Sequence, residues 1–211
     1  MKKKNKAIYL LFLMPFVYFA TACFVVWLVK TSGIYPSGSD TMYHVYRGDY
    51  VYNAIKSGNW YPLYDPAWYN GVEILRYWSP FPAYVMAFCQ YLAGGSQFGA
   101  YLFYIGGVCF LGACVWPFIG RGFNRPYLGA FIGLLWFFMP NNLCAIFIEG
   151  NLARSLSMIF LPVFIYSVYK YLYNHKLRYI PLMVFTFLLM ELCHLGYAGM
   201  VAIAVIIYGI V

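Results

Sequence analysis

The sequence predicts an all-α integral membrane protein, a polytopic helical bundle of about five to six spans whose first extracytoplasmic loop is long and structured. Three observations carry that expectation. Of the 211 residues, 64% are hydrophobic and 9% charged, with a mean hydropathy of +0.68, a composition that excludes an ordinary soluble domain. The apolar residues fall in runs of about 20, the length that crosses a hydrocarbon core of ~30 Å at 1.5 Å per residue. Lys and Arg stand in short groups at the ends of those runs, as they do where basic residues orient membrane helices. The net charge of +8 is therefore read as membrane orientation, the expected partner being the lipid bilayer and not nucleic acid.

The elements follow in chain order. KKKNK precedes an apolar run at 7–29 that continues past ATAC at 20–23, which fits an uncleaved signal anchor with a cytoplasmic N-terminus in a multi-pass protein of the cell membrane. Residues 30–97 form the first extracytoplasmic loop, with a helix from Thr41 to about Ser57 and a second piece at 83–93. That second piece is too short to span and is read as interfacial or re-entrant. Its topology is decided by charge. With 83–93 outside the membrane core, nine cations (Lys2, Lys3, Lys4, Lys6, Arg121, Arg125, Lys170, Lys176, Arg178) are cytoplasmic and five (Lys30, Arg47, Lys56, Arg76, Arg154) are not. Spans at 98–119, 127–147 and 152–173 follow, the second interrupted by PNN at 140–142. The run 179–211 is read as a hairpin turning within ELCHLGYAG, 191–199. Residues 1–211 thus read as a single transmembrane domain, and the run VAIAVIIYGIV at the end suggests the N-terminal part of a longer one. The six cysteines contain no CxxC pair and read as small apolar residues of the helices.

This topology gathers Asp40, His44, Glu149 and His194 at the extracytoplasmic face. Asp40 follows SGS at the start of a helix, so its carboxylate is placed to cap that helix, a role compatible with a second one as a general base or a ligand for a divalent cation. His44 lies one turn later on the same side. Glu149 in IEGNLARS is the one acid between residues 74 and 190, and Arg154 either pairs with it or faces a phosphate at the membrane surface. Glu191 and His194 have the i, i+3 spacing that puts two ligands on one side of a helix. Arg47 and Arg76, with Trp68 and Tyr77 of the aromatic stretch 59–78, complete the substrate-binding candidates, the rings serving as an interfacial belt or as platforms for a sugar. No phosphate-binding GxxxxGK[ST], GxSxG or HExxH motif is present.

The succession SGSDTMYH, GNWYPLYDPAWYNGVEILRYWSPFPAYVMAF and EGNLARSLSMIFLPVFIY resembles the start of the GT-C class of integral membrane glycosyltransferases, and within it the bacterial membrane proteins labelled 6-pyruvoyl-tetrahydropterin synthase-related. The resemblance implies a GT-C-like fold and transfer of a sugar from a polyprenyl-phosphate-linked donor to an acceptor at the extracytoplasmic face. Asp40 would be the catalytic acid of the first outer loop and Glu149 the second acidic position. A divalent cation, magnesium or manganese, is the implied cofactor, with Asp40 and Glu149 as its ligands, although this chain has one carboxylate where oligosaccharyltransferases have a cluster. The residues leave two further classes open: a transporter or flippase of lipid-linked or amphipathic substrates built around the broken helix, and a non-catalytic membrane subunit that keeps the fold.

Overall fold

The computed structural model describes residues 2–68 and 70–210, with side chains from Phe12 onward. The lysine side chains of KKKNK, on which the cytoplasmic start of the chain was argued, lie outside the described residues.

The chain is a helical membrane protein, as its composition predicts. Helix α1 spans Lys2–Ser32, α2 Thr41–Lys56, α3 Phe81–Leu92 and α4 Gln97–Gly122. Then come α5 (Pro126–Leu135), α6 (Pro140–Leu143), α7 (Leu152–Leu172), α8 (Ile180–Cys193) and α9 (Leu195–Ile210). Local sequence explains where these helices begin. Proline occupies the first turn of α3, α5, α6 and α8, where its missing N–H costs nothing. Ser96 caps α4 by accepting the Gly99 N–H at 3.0 Å, and Asn151 caps α7 by accepting the Arg154 N–H at 2.9 Å.

Four segments are long and apolar enough to cross a membrane: Phe12–Ser32, Gln97–Gly122, Pro126–Ile148 and Leu152–Leu172. The third is broken, as PNN predicts. After α5 the chain tightens to a 3₁₀ turn at Trp136–Phe138, Met139 turns extended ahead of Pro140, and a π-helical turn runs Cys144–Ile148. The break is repaired internally, because Asn142 Nδ2 donates to the Trp136 carbonyl at 2.8 Å. The C-terminal hairpin turns at one residue, His194, whose backbone is extended at φ −156° and ψ 95°. Its first arm, α8, measures only about 21 Å at 1.5 Å per residue, short of a full ~30 Å crossing.

Helix α4 is the hub of the bundle and packs against α1, α3, α5 and α7. Tyr18, Tyr101, Tyr104, Ile105 and Leu152 are fully buried around it. Two of the tyrosines also tie helices together: Tyr18 Oη donates to the Ala130 carbonyl at 2.8 Å and Tyr104 Oη to the Leu152 carbonyl at 2.9 Å, each worth about 1 kcal/mol net. The segment between α1 and α4 is a lobe with a core of its own, Val51, Ile74, Leu75, Ala83 and Ala87, enclosed by α2 and α3. Helix α3 has 12 residues, in keeping with a helix that does not span. Among the described residues there is no strand, only one antiparallel bridge between Asp65 and Val72.

Candidate functional site

Two glycines set the first loop directly on the approach to α7. A Cβ on Gly38 would lie 2.5 Å from the Gly150 nitrogen and 2.6 Å from its Cα, and Gly150 itself holds φ +68°, with the Thr41 hydroxyl occupying the place of its missing Cβ. That close approach lets the Asp40 N–H donate to the Glu149 carbonyl at 3.0 Å, and Ser39 Oγ reaches the same oxygen at 3.0 Å. Segments about 110 positions apart are thereby fixed to one another by one backbone and one side-chain hydrogen bond.

Asp40 occupies the N-cap position of α2, but its carboxylate makes no capping bond, which corrects the expectation that it caps the helix. Its backbone carbonyl accepts the His44 N–H at 3.1 Å, the first hydrogen bond of the helix. The carboxylate has one hydrogen-bond partner, Ser39 Oγ at 3.2 Å, and is half-buried. The other acids of the lobe are committed to structure. Asp65 is buried and accepts from Tyr46 Oη and the Ala67 N–H, Asp49 accepts from Gln90 Nε2 at 2.6 Å, and Glu73 pairs with Arg76 at 2.6 Å.

Glu149 and Arg154 form a two-pronged pair, Nη1 to Oε2 at 2.7 Å and Nη2 to Oε1 at 3.1 Å, the pairing that the sequence offered as one alternative for Arg154. Cys144 Sγ donates to Glu149 Oε1 at 3.3 Å. Beside this pair stands His194, whose Nδ1 accepts the Tyr197 N–H at 3.0 Å and whose Nε2 lies 3.3 Å from the Asn151 amide. His194 is the C-cap of α8, its N–H donating to the Met190 carbonyl at 2.8 Å, and among the described residues it makes no hydrogen bond to the Glu191 side chain. Glu191 contributes its backbone instead, accepting from Ser79 Oγ at 2.8 Å, and its side chain makes no hydrogen bond or ion pair among the described residues.

The electrostatics favour neutral imidazoles beside one free carboxylate. Burial, then the charge of Arg47 and the proximity of His194, hold His44 down to about 3. Burial is also the first cause of a lowered value at His194, where Arg154 acts in the same direction and Asp40 against it. Asp40, His44, Glu149, Arg154 and His194 thus form one cluster. Asn151 and Ser39 belong to it as well. Asn151 was legible as a helix cap only, and Ser39 carried no signal of its own.

The remaining candidates lie in the lobe. Arg47 is 2% exposed, with Nη2 3.4 Å from the carbonyls of Trp78 and Ser79 and its guanidinium over the rings of Tyr43 and Trp78 at 5.4 and 5.8 Å. Trp68 is wedged edge-on between Tyr43 and Tyr46, at centroid distances of 4.9 and 4.5 Å. Arg76 and Tyr77 are exposed neighbours on the lobe surface.

A divalent cation needs several oxygen donors arranged around one point. Among the described residues no three His, Cys, Asp or Glu side chains form such a group, and the Glu149 carboxylate is already neutralised by Arg154. The donor set does not fit a resident cation.

No curated protein and no solved structure matches this chain. Residues 75–211, more than half of the chain and including Glu149, Arg154, Glu191 and His194, match the family described as 6-pyruvoyl-tetrahydropterin synthase related domain, membrane protein. The bundle carrying this carboxylate and histidine cluster therefore belongs to the 6-pyruvoyl-tetrahydropterin synthase related family of membrane proteins.

Proposed function

We propose that the protein is a membrane glycosyltransferase of the GT-C type, moving a sugar from a polyprenyl-phosphate-linked donor to an acceptor hydroxyl, with Asp40 as its base. One observation carries the reading: Asp40 is the acid of the first loop whose carboxylate is not committed to holding the fold, and a backbone bond fixes it beside Glu149. A structural acid is normally satisfied, as Asp65 and Asp49 are.

In this reading the acceptor oxygen attacks the anomeric carbon while its proton passes to the Asp40 carboxylate. The bond between the anomeric carbon and the phosphate oxygen breaks, and polyprenyl phosphate leaves with the bonding pair. Arg154, oriented by Glu149, supplies positive charge for the departing phosphate. His44 and His194, kept neutral, line the approach without adding charge. The cluster would face away from the cytoplasm, a placement supported by the charges: every acid of the chain is at the Asp40 end, whereas Arg121, Arg125, Lys170, Lys176 and Arg178 are at the other.

The test is transfer from labelled polyprenyl-phosphate sugars in membranes carrying wild type or Asp40→Asn at equal expression. The expected result is a loss of about 100-fold or more in the variant. Equal transfer in both would remove Asp40 from the chemistry. A second reading, a transporter or flippase for lipid-linked substrates, is favoured by the broken span at 136–148, because irregular backbone at membrane depth is tolerated where it lines a cavity or protein interior. Movement of the labelled lipid across vesicles with no sugar transfer in wild type would select it.

A further inference from the structure

The end of the bundle away from Asp40 has a composition that sugar transfer does not use. The last turns of α4 and α7 and the connections that follow them carry Arg121, Arg125, Lys170, Lys176 and Arg178. All six acids of the chain lie at the other end, and none of these five cations makes an ion pair among the described residues. Aromatic rings hold two of the cations in place. Lys170 Nζ donates to the Gly122 carbonyl at 2.9 Å and lies 4.9, 5.2 and 5.9 Å from the ring centroids of Phe123, Tyr166 and Tyr169. The Arg178 guanidinium lies 5.4 Å from the centre of Tyr179, whose ring meets Tyr166 edge-on at 5.7 Å.

Those same rings close one end of an apolar groove of about 680 Å³ between α4, α7 and α9, lined by Phe123, Tyr166 and Tyr169 at this end and by Met158 and Tyr197 toward the other. From Met158 to Tyr169 the groove follows α7 for about 16 Å at 1.5 Å per residue. Ile165 and Tyr208 on its walls are exposed at 45% and 49%, so the groove is open along the flank of the bundle, at the depth of lipid chains.

We propose that this groove and its cationic end form a binding site for an anionic phospholipid, with an acyl chain along α7 and the phosphate at Lys170 and Arg178. Charge complementarity selects the occupant. An apolar channel alone accepts any chain, but cations with no acid in reach at its mouth favour an anionic headgroup over a zwitterionic one. Lys170 is already held against three rings and the Gly122 carbonyl, so a phosphate meets a positioned charge and not a mobile one. The site does not depend on the chemistry proposed for Asp40.

The test is retention of dioleoylphosphatidylglycerol by the full chain purified in detergent, counted by native mass spectrometry, with dioleoylphosphatidylcholine as the neutral comparison. One phosphatidylglycerol is expected to stay bound preferentially. Lys170→Gln and Arg178→Gln are each expected to weaken its retention about fivefold. Ile165→Trp, which fills the groove and leaves every charge in place, is expected to weaken it as well, whereas Lys56→Gln in the lobe leaves it unchanged. Because Lys170 also ties α7 to Gly122, Arg178→Gln separates loss of the site from loss of the fold. Equal retention of both lipids, an equal effect of Lys56→Gln, an unaltered Ile165→Trp, or complete displacement by glycerol 3-phosphate would each overturn the proposal.

Discussion

The two ends of the bundle handle charge in opposite ways. At the lobe end four acids are matched to specific partners, Asp65 to Tyr46, Asp49 to Gln90, Glu73 to Arg76 and Glu149 to Arg154, whereas Asp40 keeps only Ser39 and the Glu191 side chain has no partner among the described residues. At the far end there are cations and rings but no acids. Matched charges hold a defined shape, which a loop that carries chemistry must have. Unmatched cations on aromatic faces keep their field available to something outside the chain. The comparison therefore separates an end built for geometry from one built for attraction.

The geometry of the lobe end rests most heavily on the contact of Gly38 with Gly150. Gly38→Val would place side-chain atoms where the Gly150 backbone now stands, and overpacking of this kind costs about 3 kcal/mol. The expected outcome is a large drop in the detergent melting temperature, together with loss of the bond from the Asp40 N–H to Glu149. A variant that melts with wild type would show that the two loops are not in contact, and the matched end would lose its organising feature.

A somewhat smaller effect is expected from pH. His44 is held down to about 3 in the folded chain, facing Arg47 on its own helix and His194 at the end of α8, whereas an unfolded histidine titrates near 6.5. Below 6.5 the unfolded chain takes up a proton that the folded chain refuses, so stability falls as pH drops from 6.5 toward 3. Between pH 6.5 and 4.5 that amounts to about 2 kcal/mol. His44→Gln removes the contribution, and its denaturation midpoint should vary less over this interval than that of wild type. Parallel curves would mean that the imidazole is solvated, and with it the approach to Asp40.

How much of this could be read from sequence depended on the range of the interaction. The helix over Thr41–Lys56, the interruption at PNN, the short helix near 83–93 and the turn within 191–199 were all legible, because apolar length, proline and glycine act within a few residues. The arrangement of the site was legible only in part. Asp40, His44, Glu149 and His194 do come together, as the order of spans requires. The capping role of the Asp40 carboxylate did not form, because it depends on a rotamer that local sequence does not set. Tyr43 beside Arg47 and Tyr166 and Tyr169 beside Lys170 lie within four residues, but the contacts of Arg47 with Trp78 and of Lys170 with Phe123 left no local signature, since those partners come from segments 31 and 47 residues away.

The matching of acids in the lobe can be tested at Asp65, which is 2% exposed and holds the bridge to Val72. Tyr46 Oη donates to its carboxylate, and the same bond raises the Tyr46 phenol to about 12. Tyr46→Phe leaves a buried carboxylate short of a donor and should cost about 1.5 kcal/mol in chemical denaturation. Tyr46→Phe combined with Asp65→Asn should cost less than the sum of the two single changes, as expected for direct partners.

The smallest effect is expected at Arg154, and it discriminates most finely between a structural pair and a functional one. Its side chain is 19% exposed and that of Glu149 36%, so water screens the pair and Arg154→Met should cost only about 1 kcal/mol. If the pair serves shape alone, Glu149→Gln added to Arg154→Met restores most of both stability and sugar transfer, because no unpaired charge is left. If Arg154 carries the charge that the departing phosphate needs, the double variant recovers stability and stays inactive. Recovery of both would return this pair to the same class as Glu73 with Arg76 and leave Asp40 as the uncommitted acid of the first loop.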